Sequence, residues 1–271
     1  MNRTAQNQIP ALLERYELKY QIPATLIDPI SDYLSIYCST DQYSEKSEDG
    51  FYTINSLYFD TPRLLFLRNR IEGSENRFNM RVRSYDSISG MPCFFEIKQK
   101  RDGIVRKFRT AVSDENWPNL FEAAGRGPDS IRCGEERSHI ELFYRTACSY
   151  RATPKVLSRY RRKAYISDVD EYARATFDRD LSFQAEEGYT IVPDESRMMD
   201  CCRETVFDPG CGIILELKCH AALIPQWMLD LIRYFNLRRI GFSKYYVSAV
   251  HALSPSVFSL LVREPAGDRV Y

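Results

Sequence analysis

Three consecutive segments decide the fold: RFNMRVRSYD at 77–86, PCFFEIKQK at 92–100 and GIVRKFRTAV at 103–112. Charged and apolar residues alternate in each of them, and a period of two is typical of a β-strand with one polar and one apolar face. The connections between the segments are short, as between antiparallel neighbours. This part of the chain therefore predicts an antiparallel meander with one charged face.

The pattern extends in both directions from this meander. Further strands are predicted at 15–20, 52–60, 155–167, 173–184 and 212–220, and helices at 24–38, 114–125, 135–151, 225–237 and 238–253. Residues 63–70 fit a helical turn, and the polar stretch 39–50 fits a loop. The fold class is therefore α+β: an antiparallel sheet with enough strands to close into a barrel, with helices packed outside. We expect a flexible leader at 1–13, one domain at 14–252 and a tail at 253–271.

Composition excludes several classes of protein. The 271 residues carry 37 Lys and Arg against 37 Asp and Glu, so bulk positive charge cannot hold a nucleic acid, and 44% hydrophobic residues exclude general disorder. The scattered Cys and His disfavour a zinc site, and neither a P-loop nor a dinucleotide motif occurs. With no apolar N-terminal segment and no apolar run near ~20 residues, a cytoplasmic protein with reduced thiols is expected.

The position of the charges within the strands is informative. The charged residues that share a strand face are Arg81 with Arg83, Glu96 with Lys98 and Lys100, Lys107 with Arg109, Arg174 with Asp178, and Glu216 with Lys218. A solvated outer face would explain any one strand. Five such strands, dominated by Arg and Lys, favour a cationic tunnel that holds a polyanion. Because Tyr160 is almost alone as an aromatic on this face, a phosphate-rich ligand fits better than a nucleic acid.

Nine short motifs, taken in order, resemble a known family. They are RYELKY at 15–20, LYFDTP at 57–62, RVR at 81–83, FEIKQK at 95–100, VRKFR at 105–109, RYRRKAY at 159–165, RATFD at 174–178, LELK at 215–218 and FSKYY at 242–246. Together they look like the VTC domain, the polyphosphate polymerase domain of the vacuolar transporter chaperone complex. That family belongs to the triphosphate tunnel metalloenzymes, so the resemblance implies a tunnel of antiparallel strands with helices outside.

The resemblance also implies roles for individual residues. Catalytic contacts to phosphate are expected from Arg81, Arg83, Lys98, Arg162, Arg174 and Lys244, and substrate-binding contacts from Lys19, Lys107 and Tyr160. Glu216 would hold Mn²⁺ or Mg²⁺. Three alternatives stay open from the residues themselves. Lys19 and Lys107 could be solvated strand ends, Arg159 or Arg161 could replace Arg162 through a β-bulge, and Glu216 could pair with an Arg and bind no metal.

The implied activity is transfer of the γ-phosphoryl group of ATP to a growing polyphosphate chain. A metal-dependent hydrolase of tripolyphosphate or nucleoside triphosphate, and a non-catalytic polyphosphate sensor, are the rival interpretations. The superfamily's E-x-E-x-K strand reads here as Arg15-x-Glu17-x-Lys19, which lacks the first carboxylate. The SPX domain and membrane helices of the eukaryotic complex have no counterpart here, so we expect a free-standing catalytic domain whose partner could lie in a membrane.

Overall fold

The computed structural model describes residues 15–85, 92–101, 104–113, 115–122, 134–201, 212–220 and 223–254. The predicted leader at 1–13 and most of the predicted tail, from residue 255 onward, lie outside the described residues.

The strands are β1 (Arg15–Ile22), β2 (Cys38–Thr40), β3 (Tyr52–Asp60), β4 (Arg77–Tyr85), β5 (Cys93–Arg101), β6 (Ile104–Val112), β7 (Thr153–Ser167), β8 (Arg174–Ala185), β9 (Met199–Asp200) and β10 (Ile213–His220). The α-helices are α1 (Ile27–Ser35), α2 (Gln42–Lys46), α3 (Leu65–Ile71), α4 (Asn119–Glu122), α5 (Gly134–Tyr150), α6 (Gln226–Tyr234) and α7 (Lys244–Ala252).

All ten strands in the described part of the chain belong to one antiparallel sheet, in the order β1-β10-β8-β7-β3-β4-β5-β6, with β2 added to β7 and β9 to β8. The run β4-β5-β6 is the predicted meander, and β3 pairs with its first strand. Although β1 and β5 lie far apart in this order, Lys98 Nζ on β5 is 2.5 Å from Glu17 Oε2 on β1. The sheet is therefore curled into a half-barrel with a concave and a convex face, and the α+β antiparallel prediction is confirmed.

The convex face is apolar, and helices cover it in two places. Helices α1 and α6 lie over β1, β8 and β10, while α4 and α5 lie over the meander. The buried residues that the helices contribute are Ile30, Leu34, Met228 and Leu231 on the first side, and Leu120, Ile140 and Phe143 on the second. Burying each such side chain stabilises the fold by about 1.5–3 kcal/mol. These helices hold the sheet from outside and leave its concave face to the charged side chains.

Helices α3 and α7 cover one part of the concave face. The Asp60 carboxylate accepts hydrogen bonds from the backbone amides of Phe66 and Leu67, both at 2.9 Å, and so fixes the start of α3. The hydroxyl of Tyr245 on α7 also donates to Asp60, at 2.5 Å, and its ring stacks on Tyr58 of β3 with centroids 5.0 Å apart. Asp60 thus ties α7 to the sheet, which places the adjacent Lys244 on the concave face.

Two of the sequence predictions are wrong in part, because contacts in the folded chain outweigh helical spacing in one segment and polar composition in the next. The helix predicted at 24–38 ends at Ser35, because Cys38–Thr40 instead pairs with β7. The loop predicted at 39–50 contains α2, whose first turn is capped by Asp41 through a 2.9 Å bond from the Ser44 amide. None of the helices in the described part of the chain combines the length and apolar character needed to span a bilayer.

Candidate functional site

One cluster of the concave face is built around Glu96 on β5. Its carboxylate is 2.5 Å from Arg81, 2.9 Å from Lys107, 3.6 Å from Arg109 and 4.0 Å from Arg83, and the residue is 2% exposed. Burial opposes ionisation of this group. The four cations outweigh that effect and hold the pKa of Glu96 well below its usual value. Glu96 is therefore a buried carboxylate that holds basic side chains from β4 and β6 in place.

A second cluster contains Asp178 on β8 and Glu216 on β10. Asp178 accepts two hydrogen bonds from Arg162, at 2.6 and 2.8 Å, and one from Lys244 at 2.5 Å. The cations nearest Glu216 among the described residues are more distant: Lys218 at 3.4 Å, with Lys19 and Arg162 at 3.8 Å. Burial opposes ionisation here as well, but these positive charges hold the pKa of Glu216 well below its usual value.

Tyr160 and the Glu17–Lys98 pair join the two clusters. Arg83 donates to the Tyr160 hydroxyl at 3.1 Å, and Lys244 Nζ lies 4.4 Å from the Tyr160 ring centroid. The joined surface, which we call the charged face, has nine basic residues, Lys19, Arg81, Arg83, Lys98, Lys107, Arg109, Arg162, Lys218 and Lys244, and four carboxylates, Glu17, Glu96, Asp178 and Glu216. It carries an excess of five formal positive charges in a chain whose overall net charge is zero.

Of the ten residues named from the sequence, eight belong to the charged face, Tyr160 joins its two clusters, and Arg174 lies at its exposed edge. Arg174 is exposed at the end of β8, where it is the register partner of Lys218 and lies 5.8 Å from the Tyr172 ring centroid. The bulge considered at Arg159–Arg161 is present. It leaves Arg162 inward, while Arg159 pairs with Glu195 and Arg161 with Asp49 away from the charged face.

Several residues of the charged face were given no role from the sequence. Strand parity had placed Glu96, Arg109, Asp178 and Lys218 on charged faces, and that signal could have identified them. The interpretation that Tyr160 is almost alone as an aromatic on this face is wrong. Tyr58 lies beside Arg81, Tyr85 beside Arg109, and Phe94 is the register partner of Arg83. These aromatic residues lie on the same strand faces as the charged residues. They were missed because an aromatic residue at such a position does not by itself indicate a function.

The residues of the charged face suit a divalent ion that is bound jointly by a carboxylate and by the phosphates of a substrate. Among the described residues there is no group of three or more His, Cys, Asp or Glu side chains that could hold a metal by themselves. Mg²⁺ is commonly bound through one or two carboxylates together with substrate phosphates. Glu216 offers such a carboxylate, and Thr176, its register partner on β8, has a buried hydroxyl with no hydrogen-bond partner in the described part of the chain. Glu216 and Thr176 therefore fit an ion that arrives with a phosphate substrate.

Comparison with known sequences and structures identifies one family. The sequence profile described as the VTC domain matches residues 14–253. No curated protein sequence matches the chain. Among solved structures, a candidate adenylate cyclase from Bacillus halodurans is similar at 12% identity and a TM-score of 0.48, covering 85% of this chain and 96% of its own. One from Vibrio parahaemolyticus has 11% identity, a TM-score of 0.45, and coverages of 87% and 97%. Overlaps at this level do not define a shared activity.

Proposed function

Because this chain belongs to the VTC domain family, we propose that it is a polyphosphate polymerase that transfers the γ-phosphoryl group of ATP to the end of a polyphosphate chain. The observation that carries the proposal is the charged face, with five more basic residues than carboxylates on one concave surface. Such a surface repels itself unless an anion of high charge density occupies it. A chain of phosphates has that charge density, and guanidinium groups can bind its oxygens with two parallel hydrogen bonds.

The chemistry requires little from the protein beyond position and charge. An ionised oxygen at the end of the chain attacks the γ-phosphorus of ATP. The bond from that phosphorus to the oxygen bridging it to the β-phosphorus breaks, and ADP leaves with the electron pair. No proton needs to be removed from the acceptor. Catalysis of this kind consists mostly of alignment and charge stabilisation, and Arg81, Arg83, Arg162 and Lys244 are held in place for both tasks.

Glu96 and Asp178 contribute through the cations that they orient. Asp178 holds Arg162 and Lys244 through three hydrogen bonds, so these two cations face the substrate without having to reorganise. A divalent ion held by Glu216, with the hydroxyl of Thr176 beside it, would neutralise charge on the bound phosphates. Mn²⁺ and Mg²⁺ both suit such oxygen donors. Lys98 on β5 and Lys107 on β6 add further cations to this surface.

The test is an analysis of products. Purified protein given ATP with Mn²⁺ or Mg²⁺ should form long phosphate chains and ADP, detected by electrophoresis with a polyphosphate stain and by a parallel assay of free phosphate. The neighbours Arg161 and Arg162 supply a matched pair of variants on opposite faces of β7. Arg162→Ala should abolish most of the polymer, whereas Arg161→Ala should leave its yield near wild type.

Other products would contradict the polymerase. Stoichiometric free phosphate without polymer would identify a hydrolase in which water is the acceptor. Tight binding of polyphosphate without turnover of ATP would identify a sensor. If Arg161→Ala and Arg162→Ala lowered the yield equally, the charged face would not be the place of reaction.

A further inference from the structure

One end of the charged face carries aromatic rings, which a chain of phosphates does not require. Tyr85 is the last residue of β4, and Phe94 lies beside it on β5 with ring centroids 5.4 Å apart. Tyr43, from α2, stacks on Tyr85 at 5.0 Å and 18°. These three residues, called the aromatic end, are half-buried, so their rings retain contact with solvent.

Arg109 connects the aromatic end to the charged face. Its guanidinium carbon lies 4.0 Å from the Phe94 ring centroid, and its Nη2 donates to the Tyr85 hydroxyl at 3.2 Å. On the other side, its Nε is 3.6 Å from Glu96. Although three groups hold it, 38% of its side chain is exposed. Arg109 therefore presents a supported planar group to solvent.

The register places this planar group directly beside the phosphate-binding cations. Phe94 is the strand partner of Arg83, and Arg109 is the strand partner of Glu96. Directly opposed residues in an antiparallel pair have Cβ atoms about 4.5–5.5 Å apart. A ligand whose anionic part contacts Arg83 would thus bring its adjoining group to Phe94 and Arg109.

A nucleobase is the group that suits such a surface. Bases stack on aromatic rings and on guanidinium planes, whereas phosphate gains nothing from an aromatic face. We propose that Phe94, Arg109 and Tyr85 bind the nucleobase of the nucleoside triphosphate, with its phosphates extending towards Arg83 and Arg81. This inference rests on the proposed function, because it assigns one end of the same site to the nucleoside.

An arginine over a phenylalanine is not by itself a ligand site, and the molecule contains a comparison. Arg179 lies 3.9 Å from the Phe51 ring centroid. There, however, Phe51 is buried and Asp49 accepts a hydrogen bond from Arg179 at 2.8 Å, away from the charged face. The guanidinium plane of Arg179 therefore does not lie beside the basic residues of the charged face, as that of Arg109 does. Arg179→Lys therefore serves as a matched control for Arg109→Lys.

The experiment measures binding of the non-hydrolysable ATP analogue AMP-PNP and of tripolyphosphate by calorimetry without metal. Arg109→Lys keeps the charge but removes the plane, and Phe94→Leu keeps apolar volume but removes the ring. Each should weaken AMP-PNP about tenfold, the scale of one lost stacking interaction, and change tripolyphosphate less than twofold. Arg179→Lys should change neither affinity.

The outcomes separate this inference from the proposed function. If Arg109→Lys and Phe94→Leu weakened both ligands equally, or neither, the nucleobase site would be refuted while phosphate binding stood. If wild type bound neither ligand, the proposed function itself would fail. A single-stranded oligonucleotide that bound more tightly than AMP-PNP would also overturn the inference, because the aromatic end would then serve a nucleic acid.

Discussion

Glu96 and Glu216 are both buried carboxylates on the same concave face, yet their surroundings differ. Glu96 has two contacts below 3 Å, to Arg81 and Lys107. The described cations nearest Glu216 begin at 3.4 Å. Charge-assisted hydrogen bonds have donor–acceptor distances of about 2.7–2.9 Å. Arg81 donates a 2.7 Å hydrogen bond to one oxygen of Glu96 and Lys107 lies close to the other, whereas no cation in the described part of the chain lies that close to Glu216.

The difference suggests separate duties for two similar groups. A carboxylate in close contact with its cations positions them and would lose those contacts if it turned to a new ligand. A carboxylate surrounded at 3.4–3.8 Å can accept another cation with less loss. We therefore propose that Glu96 positions Arg81 and Lys107 and that Glu216 binds the divalent ion.

The largest expected effect is that of Glu216→Gln on activity. Losing the carboxylate should lower metal-dependent turnover about a thousandfold, because a bound ion contributes several kcal/mol to stabilising the transition state. Tripolyphosphate affinity without metal should stay near wild type or become tighter, since a negative charge leaves a cationic site. Steady-state kinetics and calorimetry measure the two effects. Unchanged turnover at every Mn²⁺ concentration would show that Glu216 is structural.

A smaller effect is expected from Glu96→Gln. Breaking a buried ion pair costs about 3–5 kcal/mol, so the melting temperature without ligand should fall by about 10 °C. Tripolyphosphate should bind about tenfold more tightly and restore most of the lost stability, because it replaces the missing negative charge. Thermal melts with and without tripolyphosphate would show both changes.

The matched control for that variant is Glu195→Gln. Glu195 also pairs with an arginine, Arg159, but its side chain is 71% exposed. Removing its charge should change neither stability nor binding appreciably. If tripolyphosphate raised the melting temperature of Glu96→Gln no more than that of wild type, Glu96 would be a structural residue without influence on the ligand.

The smallest effect is a pH dependence from Lys107. Burial and the neighbouring guanidinium groups lower the pKa of Lys107 to about 8, against the opposing charge of Glu96. Lys107 is charged below that pH and loses its proton above it. Bound phosphate favours the charged form, so the contribution of Lys107 to tripolyphosphate affinity should be constant below pH 7 and fall about tenfold by pH 9.

Lys107→Arg separates this titration from ionisation of the ligand, because Arg stays charged throughout the range. The ratio of wild-type to Lys107→Arg affinity, measured by calorimetry from pH 6 to 9, should therefore decline above pH 8. A constant ratio would show that Lys107 keeps its proton or does not contact the ligand.

Strand parity predicted the meander and the charged face from sequence, because a period of two survives in each strand. Strand parity could not show which carboxylate contacts which basic side chain on that face. The cations around Glu96 and Glu216 come mostly from paired strands, so they depend on the strand register, which parity alone does not give. Lys244, which α7 brings from far along the chain, pairs with Asp178. The short helix at 42–46 was missed because one Asp41 cap and its packing outweigh a polar composition. In the aromatic end, Tyr43 was missed because it lies on that helix, whereas Tyr85 and Phe94 were missed because an aromatic residue among charged ones gave no functional signal.

The most direct test of the assignment is the coupling between metal and nucleotide binding. AMP-PNP affinity would be measured by calorimetry with and without Mn²⁺ for wild type, Glu96→Gln and Glu216→Gln. We expect that Mn²⁺ tightens AMP-PNP binding in wild type and Glu96→Gln but has little effect in Glu216→Gln. Equal coupling in all three proteins, or its loss in Glu96→Gln alone, would contradict the division of duties between the two carboxylates.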